Sequence, residues 1–269
     1  MMSRPMLEDK MLSKIIRATI LSARVHCSHT YPVSIFLIAP IESGKTSLAL
    51  QNAGKNPLIV TDVSGIGLLE ALHRNTLVTH VVINDVAAVG GHKSTVSKLT
   101  ISILNGLAEE GVFKIALPRM EHLDLKGRKV GVIACCTPDL IKDNRSWWKR
   151  SGFASRVLPV RYEHSVNLQF KILESIASNA AMPKTDELRV PTGLVRVTIG
   201  KEESHEILNI SQMIAKQYKE KGYRRQKQLR SLACGAALLR GWKDVKVTDK
   251  EIAFLVEALP FFTNQGQEI

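Results

Sequence analysis

Gly44, Lys45 and Thr46 close the string Ala39-Pro40-Ile41-Glu42-Ser43-Gly44-Lys45-Thr46, which follows the apolar run Val33 to Ile38 and precedes Ser47-Leu48-Ala49-Leu50. A buried strand, a turn ending in Gly-Lys-Thr and a helix start are the setting of a phosphate-binding P-loop. In such a loop the backbone from Ile41 through Glu42, Ser43 and Gly44 to Ser47 surrounds the phosphates with N–H groups at a helix N-terminus. The ammonium of Lys45 neutralises the β/γ oxygens and the Thr46 hydroxyl holds Mg²⁺. The expected ligands are therefore ATP and Mg²⁺. Ala39 stands where the usual pattern has its first glycine, so the match is to a relaxed form.

A nucleotide site of this kind needs an acidic pair at the end of a neighbouring buried strand, where one carboxylate orders Mg²⁺ and a second activates the attacking water. Here the strand His80-Val81-Val82-Ile83 ends in Asn84-Asp85. Two alignments are open. Either Asp85 is the metal ligand and Val86 falls at the base position, or Asn84 takes the metal position and Asp85 the base position; the second keeps the expected strand-end register. Either way one carboxylate of the usual pair is missing, so Thr46, Asn84 and Asp85 form the expected metal set and hydrolysis is expected to be slow or to need a neighbouring subunit.

The elements that must position these residues follow from periodicity. Apolar spacing predicts a helix over Leu7 to Arg24, then strands at Val33 to Ile38, Pro57 to Thr61, His80 to Asp85, Val130 to Cys136 and Val157 to Tyr162. Helices are expected after Thr46 up to Gly54, over Ser64 to His73 and over Ser94 to Glu110. From Val166 the pattern turns helical (Val166 to Ser178, Glu203 to Lys221, Arg224 to Arg240, Thr248 to Ala258), with a small strand at Leu194 to Ile199. Thr248-x-x-Glu251 is a capping box with Val247 and Ile252 as its hydrophobic staple, which makes the last helix the best specified element. The expected class is α/β: a P-loop three-layer sandwich with a parallel central sheet over residues 1–165. A small helical lid domain over 166–269 follows it, with a winged-helix form left open.

Composition narrows the partners. The 269 residues are 45% hydrophobic, enough for one sizeable α/β core and a smaller appended unit. No run is long and apolar enough to span a membrane and the N-terminal stretch has no signal-peptide core, so the cytoplasm is expected and no membrane partner is. The cysteines Cys27, Cys135, Cys136 and Cys234 lack metal-ligand spacing and read as reduced and structural. The net charge of +12 points to a polyanion, and residues 216–246 concentrate it: ten basic residues stand there against Glu220 and Asp244 alone.

The collinear order of P-loop, Asn84-Asp85, the polar strand end Thr137 and Gly152-Phe153-Ala154-Ser155-Arg156-Val157 resembles an AAA+ ATPase, and the local strings are most similar to the MCM-type helicase branch. The resemblance covers about residues 10–260. It implies that Thr137 is the sensor-1 residue and that Arg156 is an arginine finger completing a neighbour's site. Arg224, at the head of the helix that includes Leu229 and Leu232, becomes sensor 2, favoured over Arg225. It also implies a β-hairpin from Gly111-Val112-Phe113-Lys114-Ile115-Ala116 and His122-Leu123-Asp124-Leu125, whose Lys114 and Arg119 face DNA. The basic stretch over 216–246 adds Lys219 and Lys227 as expected DNA contacts on the lid. A homo-oligomer, ring or spiral and hexameric in the family, follows because the finger acts in trans. The chain departs from the family at Ala39, Asn84-Asp85, Thr137 in place of asparagine, and Val157 in place of phenylalanine. Three functions fit: a DNA motor, a DNA-bound switch or loader that recruits a partner protein, and a protein-remodelling ATPase without nucleic acid. Trp147-Trp148 reads as interface or core packing in preference to base stacking.

Overall fold

The computed structural model describes residues 10–91, 94–115, 123–164, 166–178 and 186–263. The chain opens with helix α1 (Lys10–Ser22), the short strand β1 (Val25–His26) and β2 (Ile35–Ile38), whose four residues Ile-Phe-Leu-Ile are all buried. After α2 (Lys45–Ala53) come β3 (Leu58–Val60), α3 (Gly65–Arg74), β4 (His80–Ile83), α4 (Val86–Gly91) and α5 (Ser94–Asn105). The last turn of α5 widens into a π turn over Gly106–Glu110. Strands β5 (Val112–Ile115) and β6 (Leu123–Arg128) form an antiparallel pair, followed by β7 (Gly131–Cys136), α6 (Pro138–Arg150), α7 (Phe153–Arg156), β8 (Leu158–Arg161) and α8 (Val166–Ala177). The C-terminal part holds β9 (Val195–Thr198), α9 (Lys201–Gln217), α10 (Tyr223–Leu238), β10 (Val245–Lys246) and α11 (Asp249–Phe262).

The central sheet is parallel throughout, in the order β3-β4-β7-β2-β8. An all-parallel sheet needs both faces covered, and the near-continuous apolar strands β2, β4 and β7 are what that demands. Along β2 the side chains alternate: Ile35 and Leu37 join a core with α1, α2 and α9 to α11, whereas Phe36 and Ile38 join a second core with α3, α5, α6 and α7. The expected α/β class with a parallel sheet therefore stands. Only β3, at the sheet edge, is half exposed. His80 enters the sheet buried, with its Nε2 3.1 Å from the Val33 carbonyl, and a Cβ at Gly131 would lie 2.3 Å from its ring.

Local caps set the boundaries. Ser64 Oγ accepts from Gly67 N–H at the start of α3, Thr137 caps α6 with Pro138 behind it, and Glu251 accepts from both the N–H and the hydroxyl of Thr248 at 2.9 and 3.0 Å. The N-terminal segment is built into the C-terminal helices. Strand β1 pairs with β9 and β9 with β10 in a second parallel sheet, and α1 crosses α10 so closely that a Cβ on Gly235 would lie 2.0 Å from the Ala18 carbonyl oxygen. Trp148 is buried, stacked on Phe36 with centroids 5.3 Å apart and edge-on to Phe153, so it is a core residue. No helix among the described residues is long and apolar enough to cross a membrane.

Candidate nucleotide site

Strand β2 is flanked by β7 and β8, and the chain leaves it for the far edge at β3. This is a switch in winding direction, and in open α/β sheets the crevice outside the C-terminal strand ends at such a point is where ligands bind. The loop Ala39–Thr46 sits there. The Ala39 N–H extends the ladder by one residue to the Cys136 carbonyl at 3.3 Å, and Ser43 Oγ donates back to the Pro40 carbonyl at 2.7 Å. Glu42 and Gly44 are both left-handed (φ 64 and 71). Glycine takes that conformation freely, but for Glu42 it costs on the order of 1 kcal/mol. The Ser43 carbonyl is held by the Tyr162 hydroxyl at 3.3 Å and by His164 Nε2 at 3.0 Å, both just beyond β8. Ahead of the loop's exit lies the first turn of α2, whose N–H groups have no acceptor within the helix and lie at the positive end of its dipole.

Lys45, the first residue of α2, folds back over this loop. Its Nζ donates to the carbonyls of Ala39 (2.9 Å) and Pro40 (2.5 Å) and approaches Ser43 Oγ at 3.3 Å. All three ammonium protons thus have acceptors in the loop itself. Partial burial lowers its pKa from the ordinary lysine value, opposed by the carboxylate of Asp85 across the crevice.

The strand register brings Asn84-Asp85 to the same edge. Ile83 is level with Ala134 and Ile38 with Cys136, so one strand, β7, separates the end of β4 from the loop. The Thr46 hydroxyl bridges the gap by donating to the Asn84 backbone carbonyl at 3.3 Å. Asn84 Oδ1 is buried without a hydrogen-bond partner, an arrangement that calls for one. Asp85 is exposed, and its Oδ1 accepts from the Ala87 N–H at 2.9 Å, capping α4. Thr137 lies level with these groups at the end of β7, but its hydroxyl accepts from the Leu140 N–H at 3.3 Å and caps α6. Cys135, beneath Thr46, is pushed up to about 11 by burial and stays a thiol. Among the described residues no group of three or more His, Cys, Asp or Glu could hold a metal ion unaided. The available donors are the Thr46 hydroxyl, the Asn84 amide oxygen and the free Asp85 oxygen. That set suits Mg²⁺, which keeps several waters and takes phosphate oxygens as ligands.

The two arginines assigned to nucleotide chemistry meet each other through Glu109. Arg224 Nε is 2.8 Å from Glu109 Oε2 and its Nη1 donates to Ser155 Oγ at 3.0 Å. Arg156 Nε lies 3.1 Å from the same carboxylate oxygen as a charge contact, its Nη2 binds Glu110 at 3.1 Å, and its side chain is 13% exposed. The π turn that ends α5 is what presents Glu109 and Glu110 together. Arg225, the alternative to Arg224, is fully buried: it forms a two-pronged pair with Glu220 and also donates to the Val157 carbonyl.

The basic stretch divides by residue type. Arg224, Arg225, Arg230 and Arg240 are each tied to groups within the chain, whereas Lys216, Lys219, Lys221, Lys227, Lys243 and Lys246 are exposed. The lysines of this stretch make the surface and the arginines are tied into the fold, because a guanidinium fork can satisfy several acceptors at once. Lys114 lies on β5 opposite Asp124 in the expected hairpin, and Arg119 falls outside the described residues. Sequence reasoning missed Tyr162, His164 and Glu109. Their partners are 47 to 121 positions away, and no local pattern reports such pairs. No protein-family model matches the chain, and a search of curated proteins finds no match.

Proposed function

We propose that this protein is an ATP-binding and ATP-hydrolysing enzyme of the AAA+ type that acts on DNA as a homo-oligomer. One observation carries the reading: a loop with a left-handed Gly44 leads from the end of a central parallel strand into α2, and Lys45 and Thr46 stand on the first turn beside Asn84. On this reading the five-stranded sheet is the nucleotide-binding core and α9 to α11 are its lid. The loop N–H groups and Lys45 bind the phosphates, Lys45 exchanging its loop carbonyls for phosphate oxygens. Bound Mg²⁺ supplies neutralisation of phosphate charge, and Thr46, Asn84 and the outer oxygen of Asp85 are the residues that would hold it. Asp85 also positions water. The exposed lysines of the C-terminal helices meet the DNA backbone.

Two observations favour a slow ATPase that works as a DNA-bound switch or loader over a translocating motor. One oxygen of the single carboxylate, Asp85, is already engaged as a helix cap, and Arg156 is neutralised within its own chain by Glu109 and Glu110. A finger held this way acts in trans only after those pairs open. The test is ATP hydrolysis by the full chain with and without single- and double-stranded DNA, read beside particle size with ATP present. Turnover stimulated by DNA in an ATP-assembled oligomer supports the reading, and strand displacement would restore the motor. Absence of nucleotide binding overturns it, while DNA-independent turnover leaves a protein-remodelling ATPase.

A further inference from the structure

Cys27 is half-buried in the loop that follows β1, where Thr30 donates to its carbonyl through the hydroxyl at 2.8 Å. Arg230, on α10, reaches over this loop with all three nitrogens placed. Its Nε donates to the Ser28 carbonyl at 3.1 Å, Nη1 to Ser204 Oγ at 2.7 Å and Nη2 to Cys27 Sγ at 3.8 Å. No carboxylate among the described residues forms an ion pair with Arg230, and the Cys27 sulfur is one of its three contacts. One turn further along α10, on the same face, the buried Cys234 lies near enough to Cys27 for the two thiols to act on each other. The other two thiols, Cys135 and Cys136, are buried in β7 and raised above the ordinary thiol value.

We propose that Cys27 is a peroxide-reactive thiolate and that Cys234 resolves its sulfenic acid into an intrachain disulfide. The Cys27 thiolate attacks one oxygen of hydrogen peroxide: the S–O bond forms, the O–O bond breaks, and the departing oxygen leaves as hydroxide and is protonated to water. Cys234 then loses its proton, its sulfur attacks the sulfenic sulfur, the S–S bond forms and the S–O bond breaks with release of a second water. Two thiols are oxidised by one peroxide, which is reduced to two waters. The link ties the segment leading into β2 to the middle of α10, the helix whose first turn carries Arg224, and it does not depend on nucleotide.

Charge and hydrogen bonding are both arranged for this step. Cys27 is lowered to about 5 by its interaction with the neighbouring Cys234 thiol, by the hydrogen bond from Arg230 and by the charge of Arg230, against the desolvation of its partly buried site. Cys234 is shifted upward, with Cys27 and Glu251 facing it, and so remains the protonated partner. At neutral pH the gain in thiolate fraction is offset by the lower nucleophilicity of a weakly basic thiolate, so the discriminating condition is acid. At pH 5.5 the two effects leave Cys27 roughly 20-fold faster than an ordinary thiol.

The experiment treats the full chain with one equivalent of hydrogen peroxide and maps the peptides. The expected product has lost two hydrogen atoms and links Cys27 to Cys234; Cys234→Ser stops at a sulfenic acid on Cys27 that a cyclic 1,3-diketone captures, and Cys27→Ser gives neither. Alkylation of Cys27 by iodoacetamide should level off with a midpoint near 5. Arg230→Gln, which keeps donors and removes charge, should move that midpoint up by at least one unit. A midpoint above 8, oxidation of Cys135 or Cys136 ahead of Cys27, or a wild-type map without the Cys27–Cys234 link would overturn the proposal.

Discussion

Removal of the Lys45 ammonium tests the nucleotide site most directly. In the resting chain Nζ already makes contacts at 2.5, 2.9 and 3.3 Å to Pro40, Ala39 and Ser43, so phosphate binding exchanges one set of acceptors for a charged set. A hydrogen bond to a charged group contributes about 1.5–3 kcal/mol net, which corresponds to roughly 10- to 150-fold in affinity. Because the exchange sacrifices the loop contacts, Lys45→Ala should fall toward the lower end, with ATP binding weakened at least about tenfold. Lys45 is only partly buried and packs into neither core, so the unfolding midpoint should move by no more than a few degrees. Titration of a fluorescent ATP analogue with Mg²⁺, alongside thermal unfolding of both proteins, measures the two quantities together. Equal affinity in variant and wild type would refute the P-loop assignment, and a large loss of stability would show that Lys45 belongs to the fold.

Mixing hydrolysis-dead Arg156→Ala with hydrolysis-dead Lys45→Ala should restore part of the turnover if Arg156 completes a neighbour's site. No recovery in demonstrably mixed oligomers would leave Arg156 as the in-chain partner of Glu109 and Glu110. Lys219→Glu with Lys227→Glu should weaken all DNA sequences alike and flatten the salt dependence, since four phosphate contacts cost roughly a hundredfold between about 50 and 200 mM salt. Unchanged affinity and slope would move the DNA surface away from these helices. His80 is fully buried and its pKa is lowered to about 4 by desolvation, against the bond to Val33, which raises it. The neutral ring is therefore favoured in the fold: its stabilisation is complete above the unfolded value of about 6.5 and is lost as pH falls through about 4, up to about 3 kcal/mol. Urea unfolding at pH 7 and 4.5 should show His80→Gln losing less stability on acidification than wild type. Equal losses would reject His80 as the source.

What the chain spells locally is visible in its sequence. Apolar runs bounded by turn residues locate β2, β4, β7 and β8, the Gly-Lys-Thr string locates the start of α2, and Thr248 with Glu251 locates the start of α11, because each signal lies within four positions of the structure it reports. Segments whose form depends on distant partners escaped this reading. The two-residue strands β1 and β10 exist only because β9 lies between them, and α4 and α6 follow strand ends through caps at Asp85 and Thr137 that the sequence suggested for chemistry instead. Tertiary structure alone decided that β7 stands between β2 and β4, leaving Thr46 to bridge to Asn84. It also decided that Glu109 takes two arginines, and that Arg230 turns a cysteine expected to be structural into one beside a cation. Hydrophobic period and turn chemistry are properties of neighbouring residues, whereas the partner of a charge or thiol is chosen by the topology that brings remote segments together.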